Sequence, residues 1–328
     1  MSKVFVTGAN GLLGTNLVLT LLEQGFKVIA LVRKKNSFVK PHLKNLTIIE
    51  GNLFNFAILD KEIGQCQFVV HIAANTSQNL LKLKDYYKVN VEGTKNIIDT
   101  CIKNNVQKLV YIGTANTYGF GNLSNLGDEN KEMKYPFTKS LYAISKKLAQ
   151  DIIDEASKKL NITTISPTFM IGPYDTKPSS GKIILSVLNK RFGLYPSGGK
   201  NFVHVKDVVK SIILSFDLKK TGRKFILANE NITYRDFFNK VIKLNKQKTT
   251  LIAVPDLILK IAGILGNLLR VLNIKTDISL ANTNILMVNN YYSNRKVKEK
   301  MRIEFTSIDK AIIDFLEYYD NANLSINK

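Results

Sequence analysis

The chain has 328 residues, 45% hydrophobic and 22% charged, with 19 glycines and seven prolines; that composition excludes disordered, collagen-like and fibrous chains. Its formal charge is +21, from 47 basic and 26 acidic residues. Only seven of the basic residues are arginine, and the lysines are spread from Lys3 to Lys328 in short pairs, so the charge reads as a solvated surface and not as a nucleic-acid face.

The sequence has no run of about 18 uncharged apolar residues, the length needed to span a bilayer, so no spanning helix is expected. The start, MSKVFVTGANG, lacks the basic segment and apolar run of a secretory leader. Cys66 and Cys101 lie far apart, and His42, His71 and His204 are scattered. These features suit a reducing, cytoplasmic setting and offer no metal site.

In chain order, Lys3–Thr7 reads as a buried strand and Leu12–Gln24 as a helix closed by Gly25. Strands follow at Lys27–Val32, Thr47–Glu50 and Phe68–Ile72. Helical spacing covers Lys82–Asn105, a strand covers Lys108–Ile112, a helix Leu141–Lys159, and a strand Ile162–Ile165. Apolar, β-branched strands alternating with helices predict a doubly wound parallel α/β sheet of the Rossmann type. After Pro167 the rhythm breaks: Pro173, Pro178 and Gly181, then Gly193, Pro196 and Gly198, mark loops around one helix. A strand at Phe202–Val205, a helix from Asp207 and a strand at Phe225–Ala228 resume the α/β pattern, and helices dominate beyond Thr233. The expected division is a cofactor domain of residues 1–166 plus about 202–228. The rest, about 167–201 and 229–328, forms a smaller, mainly helical C-terminal cap.

Between the first strand and first helix stands TGANGLLG, with Gly8, Gly11 and Gly14 at spacing three. Gly8 turns the chain, Gly11 admits a pyrophosphate close to the backbone, and Gly14 lets helix and sheet pack closely. The helix start adds free N–H groups and a positive dipole end. Arg33, Lys34 and Lys35 follow the second strand, where an NAD-preferring site places a carboxylate. A guanidinium can hold a 2′-phosphate bidentately, so NADP(H) is favoured over NAD(H).

Tyr142 and Lys146 are one helical turn apart and share a face. A neighbouring ammonium favours tyrosinate, so the spacing predicts a phenol pKa lowered toward neutrality, fit for proton transfer. Thr114 follows the strand at Lys108–Ile112, at the sheet edge where ligands sit in such folds.

Together TGANGLLG, HIAA at 71–74, NVEGT at 90–94, GTANTYG at 113–119 and YAISK at 142–146 resemble the extended short-chain dehydrogenase/reductases, including the epimerase/dehydratase, dihydroflavonol-reductase-like and 3β-hydroxysteroid-dehydrogenase-like branches. SPTFMIGP at 166–173, NFVHVKDV at 201–208 and YYSNRKVKEK at 291–300 extend the likeness over nearly the whole chain. The resemblance implies that Gly8, Gly11, Leu12, Leu13 and Gly14 line the pyrophosphate, that Asn10 belongs to the cofactor site, and that Asn52 and Leu53 sit near the adenine. It places Ala73, Ala74 and Asn75 beside ribose and phosphates, with Asn90 and Pro167 near the nicotinamide. Thr114, Tyr142 and Lys146 would be catalytic, Lys146 also holding the ribose. It offers the helices at 82–105 and 139–159 as homodimer faces.

Asn52 departs from a frequent Asp and Ser166 from a frequent Arg. Ala115-Asn116 stands where sugar 4,6-dehydratases carry Asp-Glu, which argues against dehydration. Lys200 stands near a common sugar-nucleotide Arg.

His71 and His204 read as hydrogen-bonded packing residues. Residues 257–272, apolar around most of a helix, predict burial on more than one side: packing in the cap, a lid over an apolar substrate, or rest on a membrane surface. The function read here is an oxidoreductase moving hydride between nicotinamide and the carbonyl or hydroxyl of a small molecule. A nucleotide-sugar 4-epimerase and a non-catalytic cofactor-binding regulator are the alternatives.

Overall fold

The computed structural model describes residues 1–176, 179–219 and 221–326; Pro178, expected in a loop, lies outside the described residues. The first half builds β1 (Lys3–Thr7), α1 (Leu12–Glu23), β2 (Lys27–Val32), β3 (Leu46–Glu50), α2 (Phe56–Ile63), β4 (Phe68–His71), α3 (Leu83–Tyr87), α4 (Gly93–Lys103), β5 (Lys108–Ile112), α5 (Leu141–Ala156) and β6 (Ile162–Pro167). There follow β7 (Phe169–Ile171), α6 (Lys182–Leu185), β8 (Phe192–Tyr195), β9 (Gly199–His204), α7 (Val205–Ser215), β10 (Arg223–Leu227), β11 (Glu230–Thr233), α8 (Tyr234–Leu244), β12 (Thr250–Ala253), α9 (Asp256–Val271), α10 (Leu280–Leu286), β13 (Asn289–Asn290), α11 (Arg295–Met301) and α12 (Ile308–Ile326).

Seven parallel strands form one sheet in the order β10-β6-β5-β4-β1-β2-β3. Alternate residues of each strand bury on opposite faces. Val4, Val6, Val28 and Ala30 join the core under α1 and α7, whereas Phe5, Ile29 and Leu31 join the core under α2, α4 and α5. Both faces are apolar, which is why these strands read as unbroken hydrophobic runs. The doubly wound Rossmann expectation holds.

Two local features escape the periodicity. The short helix α2 begins at Asn55, whose side chain accepts the Ile58 N–H at 3.3 Å. The helical stretch expected at 82–105 is three pieces, α3 and α4 joined by a π-type turn at Lys88–Glu92. A Cβ at Gly93 would fall 2.6 Å from Leu53 Cδ1, so only glycine starts α4 there.

The strand expected at 202–205 is β9, and it lies in a second, four-stranded sheet with β7, β11 and β13. α7 and β10 then return to the large sheet. The second core gathers Phe202, Phe237, Phe238, Ile312 and Phe315, with the Phe202 and Phe237 rings stacked at 4.2 Å.

Burial on more than one side, expected for residues 257–272, is not found. Only Gly263 and Gly266 of α9 are buried, while Leu257 is 68% and Leu268 57% exposed. Apolarity around a helix predicts burial only if neighbours surround it, and α9 packs along one side, on α10. Among the described residues no helix is long and apolar enough to cross a membrane.

Burial therefore ranks the two leucines. Leu17→Ala, in the fully enclosed face of α1, should lower unfolding free energy by roughly 2–5 kcal/mol, whereas Leu268→Ala should stay within about 0.5 kcal/mol of the parent. Urea denaturation measures both, and the opposite ranking would put α9 in a core.

Candidate active site

The sheet order reverses at β1, which has β2 on one side and β4 on the other, and a crevice opens at the carboxyl ends of these strands. Gly8 turns there with φ +65°, and a Cβ on it would fall 2.8 Å from the Ala73 amide nitrogen. A Cβ on Gly14 would collide with the Gly8 carbonyl. Gly11 caps α1 with extended backbone and no side-chain hydrogen bond, so the first N–H groups of the helix are left for a ligand or water. The cradle thus fits a pyrophosphate, and side chains are excluded where one would press closest.

Asn10 Nδ2 donates to Ser37 Oγ at 2.8 Å. Arg33 is exposed just past β2. Glu50 pairs in register with Val32, and its carboxylate accepts the Lys35 N–H at 2.9 Å, an acidic neighbour the sequence reading missed because it comes from β3. Asn52 is exposed and its side chain accepts the Phe54 N–H at 2.8 Å, while Leu53 is buried against Gly93. Pro167 is buried at the end of β6, beside Leu227 of β10.

A hydrogen-bond chain crosses the crevice floor. Thr7 Oγ accepts the Ile72 and Ala73 N–H groups, both at 3.1 Å, and meets His71 Nδ1 at 2.8 Å. His71 Nε2 meets Thr94 Oγ at 3.0 Å, and Thr94 donates to the Asn90 carbonyl at 2.7 Å. Thr94 spends its proton on Asn90, so His71 donates from Nε2 and accepts the Thr7 hydroxyl at Nδ1. Asn90 Oδ1 accepts the Asn75 N–H at 2.6 Å, and its Nδ2 donates to Ser145 Oγ at 2.9 Å. Ser145 in turn donates to the Tyr142 carbonyl at 2.7 Å. His204 also packs as expected: its Nδ1 accepts the Lys206 N–H at 3.0 Å and its Nε2 meets Asp314 at 3.1 Å.

The structure brings Thr114, Tyr142 and Lys146 together. Thr114 is buried beside the Tyr142 phenol, and its Oγ accepts the Asn116 N–H at 3.3 Å. Burial pushes that phenol up to about 12, against a smaller downward pull from Thr114. This corrects the expected lowering. Lys146 does not set the phenol because its Nζ donates to the Ile112 carbonyl at 2.8 Å and sits 4.4 Å above the Tyr111 ring. Burial brings Lys146 itself down to about 7. Tyr111, Tyr86 (its ring 6.5 Å from that of Tyr142) and the Ile112 carbonyl were not legible as site groups; none belongs to a motif, and a carbonyl carries no residue signal at all.

The chain belongs to the NAD dependent epimerase/dehydratase family, within the extended short-chain dehydrogenase/reductases: the family's model matches residues 4–228. A dihydroflavonol 4-reductase from Solanum lycopersicum is 30% identical over 77% of this chain and 71% of its own length. The decarboxylating sterol-4-alpha-carboxylate 3-dehydrogenase of Dictyostelium discoideum is 22% identical over 94% of this chain and 97% of its own. Among solved structures, a UDP-glucose 4-epimerase from Thermus thermophilus, in complex with NAD, superposes with a TM-score of 0.78 at 18% identity, covering 98% of this chain and 99% of that one. The family is one of nicotinamide-dinucleotide-dependent oxidoreductases and epimerases, and the glycine cradle is compatible with that cofactor.

His71 should show itself in the pH dependence of stability. Burial holds its pKa down to about 3, from 6.5. Between those values the unfolded chain binds the extra proton, so stability falls as pH drops from 6.5 toward 3. His71→Gln should flatten that part of the profile of urea midpoint against pH; an unchanged slope would assign it to other groups.

Proposed function

We propose that the chain is a carbonyl reductase, working reversibly as an alcohol dehydrogenase, with Tyr142 as its proton-transfer residue. The observation that carries this reading is the Tyr142 phenol beside Thr114 and one helical turn from Lys146, at the sheet edge. A bound nicotinamide supplies or accepts the hydride. Tyr142, held protonated at neutral pH by burial, can give its proton to a carbonyl oxygen as charge develops there. Thr114 orients that phenol and offers the same oxygen a second hydrogen bond. Lys146, close to neutrality in its proton affinity, can resupply the phenol and hydrogen-bond a ribose hydroxyl. Gly8, Gly11, Leu12, Leu13 and Gly14 would take the pyrophosphate, with Ala73, Ala74 and Asn75 across the crevice. Arg33 would face a 2′-phosphate, which favours NADP(H). Residues 167–201 and 229–328 would supply the substrate-binding cap. The relatives named for dihydroflavonol and sterol chemistry support an apolar ring substrate.

A nucleotide-sugar 4-epimerase is favoured by one feature, Lys200. Burial lowers its pKa to about 8, its Nζ lies 4.6 Å from the centre of the Phe169 ring, and no carboxylate pairs with it among the described residues. A half-buried cation of this kind suits a diphosphate. Consumption of free NADPH separates the readings, because an epimerase returns its cofactor unchanged.

Tyr142→Phe should keep cofactor affinity while turnover of a ketone panel falls by about 10²-fold or more; near-parental turnover removes Tyr142 from the chemistry. Arg33→Ala should weaken NADPH binding by roughly 10- to 100-fold, the range of a charge-assisted contact, and leave NADH binding unchanged by calorimetry. Equal losses for both would mean that Arg33 does not read the 2′-phosphate.

A further inference from the structure

α9 turns its apolar residues outward. With about 100° per residue, Leu259, Gly263, Gly266 and Arg270 share one seam, where the two glycines press on Leu280 and Ile278 of the following segment. The opposite arc, roughly 120° wide on the same spacing, carries Leu257, Ile258, Ile261, Ile264, Leu265 and Leu268, each 49% to 68% exposed. The apolar surface continues up the chain. β12 leads into α9 through Val254 and Pro255, and on the two-stranded sheet Leu194 of β8 is the register partner of Ile252, the two being 63% and 45% exposed. Phe192, two residues before Leu194, is 53% exposed. Apolar surface gathered on this scale marks a contact face.

Basic residues border it. Exposed Lys190 and Arg191 precede Phe192, and exposed Lys246 and Lys248 precede β12. The two segments are held side by side by the Thr250 N–H on the Arg191 carbonyl at 2.9 Å and by the Asn189 N–H on Gln247 at 3.0 Å. Lys260 lies on α9 and Lys275 just beyond it, both exposed. Between 245 and 278 the only acids are Asp256, which accepts the Ser197 hydroxyl, and Asp277. A second copy docked on this face would set two like-charged rims against each other in a chain already at +21. An anionic bilayer satisfies both parts, taking the leucines into the headgroup boundary and the lysines onto its phosphates.

We propose that α9 and the β8–β12 edge form a docking face for an anionic lipid surface, with the helix lying in the interface plane. This stands apart from the reductase reading. It has a consequence for access: Arg270 donates to the Gln78 carbonyl, and Lys275 lines a cavity of about 610 Å³ shared with Asn75, Leu80 and Lys88, so docking would set that opening beside the bilayer.

Sedimentation of the full chain with vesicles of phosphatidylcholine alone, or mixed equally with phosphatidylglycerol, tests the assignment. Expected are binding to the mixed vesicles, weakening with added salt, and at least a roughly tenfold loss of partitioning in Leu265→Ser/Leu268→Ser with an unchanged melting temperature. If that variant melts early, Lys260→Glu/Lys275→Glu decides in its place, with the same loss expected. Absence of binding to mixed vesicles overturns the proposal, as does undiminished binding by these variants. A lipid-free dimer that Leu265→Ser/Leu268→Ser dissolves in sedimentation velocity would overturn it too, making α9 a subunit interface.

Discussion

The buried hydrogen-bond chain from Thr7 through His71, Thr94 and Asn90 to Ser145 joins the parts on which the site depends. It starts at the end of β1, crosses to β4, passes into the π-type turn between α3 and α4, and ends on α5 beside Tyr142. Thr7 also holds the Ile72 and Ala73 N–H groups, which keeps β4's exit against Gly8. The phosphate cradle and the phenol are therefore positioned by one network. Its low-dielectric setting makes each satisfied bond stronger and any broken one costly. It also keeps His71 neutral, since a second ring proton would face the Thr7 hydroxyl at a position that must accept.

Burial governs the chemistry around this network more than charge pairing does. Tyr142 and Lys146 share a helix face, as their spacing requires, yet they do not neutralise one another's proton affinity. Each is shifted chiefly by loss of water, the phenol upward and the ammonium downward. The ammonium's nearest partners are a carbonyl oxygen and an aromatic face. In the proposed reductase such a pair would begin its cycle with the phenol protonated, the state that reduction of a carbonyl needs.

α9 shows the opposite physical regime. Its leucines and isoleucines meet water instead of a core, while its glycines form the close contact with α10. Small residues let helices approach closely, and here they let one narrow seam hold the helix, freeing the wide apolar arc. Arg270, on the seam side of the helix, ties α9 to the loop carrying Gln78.

Much of the fold was legible in residue order alone. Unbroken apolar strands required a sheet covered on both faces, and glycines at spacing three between strand and helix required a tight turn with close backbone approach. The Thr114, Tyr142 and Lys146 set could be named because one strand end and one helical turn are local geometry. What the sequence left open was decided by contacts between distant segments. β9 could join either sheet, and its pairing with β7, β11 and β13 chose the smaller one. His71 acquired its role from Thr7 and Thr94, and the phenol of Tyr142 its proton affinity from the walls around it. The exposure of α9 is the clearest case: periodicity states which residues are apolar, but only the placement of neighbouring elements decides which of them lose contact with water.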